Sequence, residues 1–211
     1  GSLLDPPKGP STSHTGPRLS DLSVQTSTYG APIPRIYGTI PVVGNIFWLE
    51  NNQLKESVHT QEQSGGGGKG GGGGGGSSTV TTFSYSATFA VGLCEGPIDG
   101  VRRVWIGSKL VYDAASDDVE SIIANNKTAA GMTIYTGTDT QLPDSRIQAD
   151  NGTANVPAYR GLAYIVFNDL QLADYGNTLL GAQVKVEVVK SGTVAAWAKM
   201  YTNSNSGSNF Y

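Results

Sequence analysis

Eleven glycines in twelve positions, residues 65–76, are broken only by Lys69, and they are the first feature that could do chemistry. A phosphate-cradling loop needs inward-facing backbone amides, a lysine on the phosphates and a following Ser or Thr for magnesium. Here Lys69 is followed by Gly70 and no strand-to-helix junction flanks it, so the tract reads as a flexible loop. Two histidines, His14 and His59, could share a metal or serve a triad, but one sits in an extended arm and the other beside the glycine tract. Solvated surface histidines are the plainer reading. Cys94 could be a nucleophile only with a positioned base. None is evident, and at the end of an apolar strand it reads as a small core residue. Asp113, Asp117 and Asp118 lack the alternating oxygen ligands and fixed glycine of a calcium loop, so they read as acids at a helix start. Asn126-Lys127-Thr128 and Asn151-Gly152-Thr153 fit the glycosylation pattern, which arises by chance in a chain this rich in Asn and Thr. Trp105, Tyr159 and Tyr164 suit interface anchors or, equally, strand-borne core residues. No catalytic, cofactor-binding or metal residue is assigned.

The elements that would position such groups are mostly strands. The chain has 211 residues, 15% charged, with 29 glycines, one cysteine and a net charge of −3. That is enough for one domain with a real core. The charge implies no broad basic face, so no sequence-specific nucleic-acid binding is expected. One cysteine excludes an internal disulfide. No apolar run approaches the roughly 18–20 residues of a membrane span. A start at Gly1 in place of Met reads as a fragment or a tag scar.

Residues 162–167, LAYIVF, are apolar at both parities, as in a strand buried on both faces. After a polar loop over 168–177 the period becomes two: Ala182, Val184, Val186 and Val188 face one way, Gln183, Lys185 and Glu187 the other. Residues 79–93 alternate Phe83, Tyr85, Ala87, Phe89 and Val91 against Thr82, Ser84, Ser86 and Thr88, the strongest strand signal in the chain. Residues 33–38 and 42–49 are expected as strands, with Gly44 at a bulge or close backbone approach. Residues 101–106 and 109–112, joined by Gly107-Ser108, predict a two-residue hairpin. Residues 132–135 predict a short strand. Asp117 followed by Glu120 predicts a capped short helix ending near Asn126, and Pro143 opens a second over 144–149. Residues 193–201 suit a helical turn or two.

The expected fold is mainly β with two short helices: an antiparallel or mixed sheet, or a barrel-like domain, with a long disordered glycine-rich loop. Residues 1–17 would be an extended N-terminal arm and 18–190 the β domain, interrupted by a flexible loop over 62–78. Residues 191–211 would be a C-terminal tail, or the start of a further region.

Three blocks carry a resemblance. RLSDLSVQTSTYGAPIPRIYGTIPVVGNIFW (18–48), FSYSATFAVGLCEGPIDGVRRVWIGSKLVYD (83–113), and IYTGTDTQLPDSRIQAD with PAYRGLAYIVFNDLQLADYGN (134–177) occur in that order. The chain thereby resembles, over about residues 18–189, the baseplate or tail-tip hub family of siphophage and gene-transfer-agent tails. That family is distantly akin to the tip attachment protein of lambda-like phages. The CEGPIDG turn is similar to the SEGPI-type turn of lambda-like tip proteins. Two departures stand out: Thr178-Leu179-Leu180-Gly181 replaces the family's usual Arg and Pro, and the glycine tract expands a variable polar loop. Family members are also several times longer.

The resemblance implies a virion structural protein at the tail tip, a homotrimer that adapts a six-fold tube ring to a three-fold tip and helps close the DNA channel. Its implied partners are the tail tube, the distal tail protein and other tip proteins. The N-terminal arm would gain order only in the assembly. The alternative is a stand-alone β-domain adhesin binding host-surface carbohydrate or a receptor. A cell-wall hydrolase ranks third, because it needs paired carboxylates or a zinc site that the sequence does not offer. No enzyme activity and no cofactor are expected.

Overall fold

The computed structural model describes residues 11–21, 32–64, 77–179 and 183–192. The expected glycine loop's centre and the expected helical turn over 193–201 lie outside these residues. Twelve regular elements follow in chain order. The first half holds β1 (Thr12–Thr15), β2 (Gly38–Val43), β3 (Asn45–Leu49), β4 (Lys55–Ser64), β5 (Ser77–Glu95), β6 (Gly100–Ile106) and β7 (Lys109–Asp113). The second holds α1 (Val119–Asn126), β8 (Met132–Tyr135), α2 (Ser145–Asn151), β9 (Leu162–Gln171) and β10 (Val184–Lys190).

β5 is the spine, nineteen residues long. On one edge β4 pairs with its first half, Ser64 opposite Ser77 through Lys55 opposite Ser86, and β3 pairs further along. On the other edge β1 runs parallel to Ser78–Thr81, and β9 joins antiparallel from Ser86 onward. β8 closes the far side of β9, making six strands in all. The second sheet is antiparallel, in the order β2-β10-β6-β7.

The two sheets pack face to face. Phe89, Val91 and Leu93 of β5, with Ile165 and Phe167 of β9, meet Val42, Val104, Ile106, Val186 and Val188 of the second sheet in one core. Phe89 and Phe167 stack with centroids 4.9 Å apart. The opposite face of the six-stranded sheet carries a second core of Trp48, Ala90, Tyr164 and Val166, covered by Ile147 of α2 and by Val156. This is why β9 is apolar at both parities: Ala163, Ile165 and Phe167 enter one core, Tyr164 and Val166 the other. Each large side chain so buried contributes about 1.5–3 kcal/mol. A third, smaller cluster seats Ile122 of α1 against Ala114 and Val189.

The mainly β reading with two helices holds, and its barrel-like version does not. The described strands form two open sheets, with edge strands β2 and β7 in one and β1, β3, β4 and β8 in the other. Residues 62–64 and 77–78, expected within the glycine loop, are ladder residues of β4 and β5. Part of the expected N-terminal arm is β1, docked on β5 within the chain itself.

Residues 32–37 are irregular, and the strand expected over 42–49 divides at Gly44. There the chain changes sheets: Gly44 N–H donates to Val184 O in β10, while Asn45 pairs opposite Gly92 in β5. A Cβ on Gly44 would lie 2.2 Å from Val91 Cγ1, so the expected close approach is real. The N-cap of α1 is Asp118, not Asp117, its carboxylate accepting from Ser121 N–H. Asp117 instead pairs with Arg102. α2 begins at Ser145 with Asp144 as N-cap, leaving Pro143 before the cap.

Candidate functional site

Several of the residues that could do chemistry have a structural occupation. His14 and His59 lie on β1 and β4, with β5 between them. His59 Nε2 sits 2.9 Å from Ser84 Oγ on an exposed surface. Among the described residues no group of three or more His, Cys, Asp or Glu side chains could hold a metal ion. Cys94 is fully buried in the main core, and burial pushes its thiol up to about 11. It is therefore a thiol at neutral pH and a poor nucleophile. Lys69 of the glycine tract lies outside the described residues.

The acids near α1 are helix and strand fixtures. Asp118 caps the helix, and its pKa is lowered by the Ser121 backbone N–H and hydroxyl. Asp113 accepts from Ala115 N–H at 2.8 Å and from Arg103 Nε at 3.1 Å, which together hold its carboxyl below the usual range. Asn126, the first glycosylation candidate, is buried. Its Oδ1 accepts from Val101 N–H at 2.7 Å and its Nδ2 donates to Val101 O and Tyr112 Oη. That side chain is a bridge between α1 and β6, with no room for a glycan. Asn151, the second candidate, is exposed at the end of α2.

Two of the three aromatic candidates are core residues. Tyr164 is fully buried and stacks on Tyr135 with centroids 4.3 Å apart, while Tyr159 packs edge-on against it at 5.7 Å. Trp105 lies half-buried on the outer face of the second sheet, under the Lys185 ammonium at 4.9 Å from its ring centroid.

Surface remains. The outer row of the second sheet runs Val43, Lys185, Trp105, Leu110 across four strands, with Val43 and Leu110 exposed at its two ends. Ile33, Tyr37 and Ile40 are exposed on and before edge strand β2. Pro41 lies within that strand and removes one N–H, a common way of blunting an edge. Arg102 and Arg103 meet Glu187, Asp117 and Asp113 just beyond this row, so the face is apolar at its ends and charge-balanced in its middle.

Sequence reasoning missed three polar hubs, of which Gln141 and Asp144 are buried and Asp150 is half-buried. Gln141 accepts from Gly137 N–H at 2.7 Å and donates to Tyr159 O at 2.9 Å, tying the segment before α2 to the one before β9. Asp144 caps α2 and accepts from Tyr135 Oη at 2.8 Å. Asp150 accepts from Trp48 Nε1 at 2.9 Å. Only Asp144, three residues before an apolar Ile, had a recognisable cap signal.

No family profile matches the chain, and no curated protein matches it. Among solved structures, the chain is similar to a chain of the virion of a native gene transfer agent particle, at 29% identity and a TM-score of 0.50. The alignment covers 87% of this chain and 32% of that one, so this chain spans about a third of the other's length. Likeness of sequence and fold together supports a phage-like structural protein.

Proposed function

We propose that this chain is a structural component of a phage-like virion, and that within it the chain is the N-terminal β domain of a tail-tip or baseplate hub. In that role it joins the tail tube to the distal tip and helps close the DNA channel, working as a homotrimer alongside the distal tail protein and other tip proteins. The observation that carries the reading is the 29% identity over 87% of this chain to a gene transfer agent virion chain. The order of the three sequence blocks supports the hub position.

The test is co-assembly. The chain is mixed with purified tail-tube and distal tail proteins, and the mass of each mixture is measured by light scattering behind a sizing column. A complex with either protein, with three copies of this chain per assembly, supports the hub. Binding to a glycan array with no tail-protein complex moves the reading to an adhesin.

A further inference from the structure

Residues 12–19 lie along one edge of β5, and what holds them there is uneven. β1 pairs in parallel, Thr12 opposite Ser78 through Thr15 opposite Thr81, and Gly16 N–H donates to Thr81 O at 2.8 Å. All four β1 side chains are exposed, so this stretch is attached by backbone hydrogen bonds without apolar burial. Beyond it the attachment changes. Leu19 packs against the main core and its N–H donates to Tyr85 Oη at 2.8 Å.

Arg18 reaches across β5 to β4, where Nε and Nη2 hold the two Glu56 oxygens at 2.8 and 2.7 Å. Tyr85 Oη donates to the same carboxylate at 3.2 Å, and the guanidinium lies 5.4 Å from the Phe83 ring centroid. Glu56 and Tyr85 are register partners, so one arginine, placed after β1, contacts both β4 and β5. β9 takes over the same edge of β5 only at Ser86. From Ser78 to Thr81, residues 12–16 are therefore the described segment that pairs with the backbone on that side, and at Tyr85 the edge is already taken by Leu172, whose N–H donates to Tyr85 O at 2.8 Å.

We propose that residues 12–19 are a latched strap: they open as a unit separate from the rest of the fold, Arg18 is the latch, and opening bares the β5 edge from Ser78 to Thr81. Segments with few buried apolar contacts open locally at far less than the global unfolding free energy. The strap meets that condition over β1, while its remaining hold lies at two adjacent residues, the planar fork of Arg18 on Glu56 and the seat of Leu19. Closed, the strap keeps the polar half of β5 from accepting a foreign strand. Open, it exposes a row of unpaired N–H and C=O groups, the feature from which strand addition proceeds. This inference is independent of the proposed role in a virion.

The test is residue-resolved amide hydrogen exchange on the whole chain, in the wild type, Arg18→Ala and Arg18→Lys. In Arg18→Ala, exchange in the β1–β5 ladder is expected to rise about fivefold, as loss of a partly exposed ion pair with its ring contact implies. The β5–β9 ladder over Phe89–Glu95 should keep its wild-type rates. Arg18→Lys should fall between, because it keeps the charge and loses the fork. A disulfide lock, Ser13→Cys with Thr79→Cys at paired positions, should abolish the Arg18→Ala effect. Unchanged strap rates in Arg18→Ala would overturn the proposal, as would a rise shared equally by the β5–β9 ladder.

Discussion

At Gly44 the chain passes from one sheet to the other, and the passage leaves no space for a side chain: an added Cβ would meet Val91 Cγ1 at 2.2 Å and Gly92 O at 3.1 Å. Gly44→Ala is therefore expected to cost about 2 kcal/mol through overpacking, read as a lower urea midpoint with an unchanged slope. A loss below about 0.5 kcal/mol would show that the corner yields. A second contrast lies in the stacked tyrosines. The Tyr164 hydroxyl is buried without a hydrogen-bond partner, whereas the Tyr135 hydroxyl donates to Asp144 Oδ2. Tyr164→Phe should leave stability equal or raised by up to about 1 kcal/mol, and Tyr135→Phe should lower it by about 1–2 kcal/mol. Thermal denaturation of the pair decides this, and equal losses would contradict the assigned hydrogen bonding. Asn126→Ala strips partners from both Val101 N–H and Val101 O, so a loss of about 2–4 kcal/mol is expected in the same assay. These roles were not legible from residue type: Asn126 showed in the sequence as a glycosylation triplet, and nothing local announces that its amide meets a strand 25 residues away.

Elements whose identity comes from burial were legible, and those whose identity comes from pairing were not. β9 and β10 declare themselves because the first enters two cores and the second faces one, which writes the two-sided apolar run and the period of two. β4, KESVHTQEQS, has no apolar pattern, since nearly all its described side chains are exposed. It is a strand because β5 beside it offers ten register partners. β1 is the same case on the other edge. The α1 cap was misplaced by one residue because Asp117 and Asp118 are chemically equivalent, and only the pull of Arg102 on Asp117 separates them. Three carboxyls at element ends and edges have lowered pKa values: Glu56 by Arg18, Asp113 by the Ala115 N–H, and Asp118 by Ser121. A carboxyl depressed on folding adds stability above its unfolded value, near 4, and loses it as pH falls through the folded value. The melting temperature should therefore hold from neutral pH to about 5 and fall below about 4. Glu56→Gln should flatten part of that fall, and an acid limb of the same steepness in that variant would contradict the assignment.

At the scale of the molecule, two sheets share one core and the larger sheet buries a second core on its outer face. The described surface has no metal cluster, and none of its helices is long and apolar enough to cross a membrane. What this body offers outward is strand edges and a face with exposed Val43 and Leu110 at its margins, features suited to lying against other chains. The match to a gene transfer agent virion chain about three times as long fits one β domain of a larger assembly part. The likeness to a phage-like structural protein was legible in the residues of the three sequence blocks. The assembly's geometry was not, because contacts between chains leave no periodic trace in one of them. The most direct measurement is immunoelectron microscopy of intact particles with gold-labelled antibody raised against this chain. The account predicts label confined to the distal end of the tail, at the junction of tube and tip. Label along side fibres, on the head, or absent from the particle would contradict it.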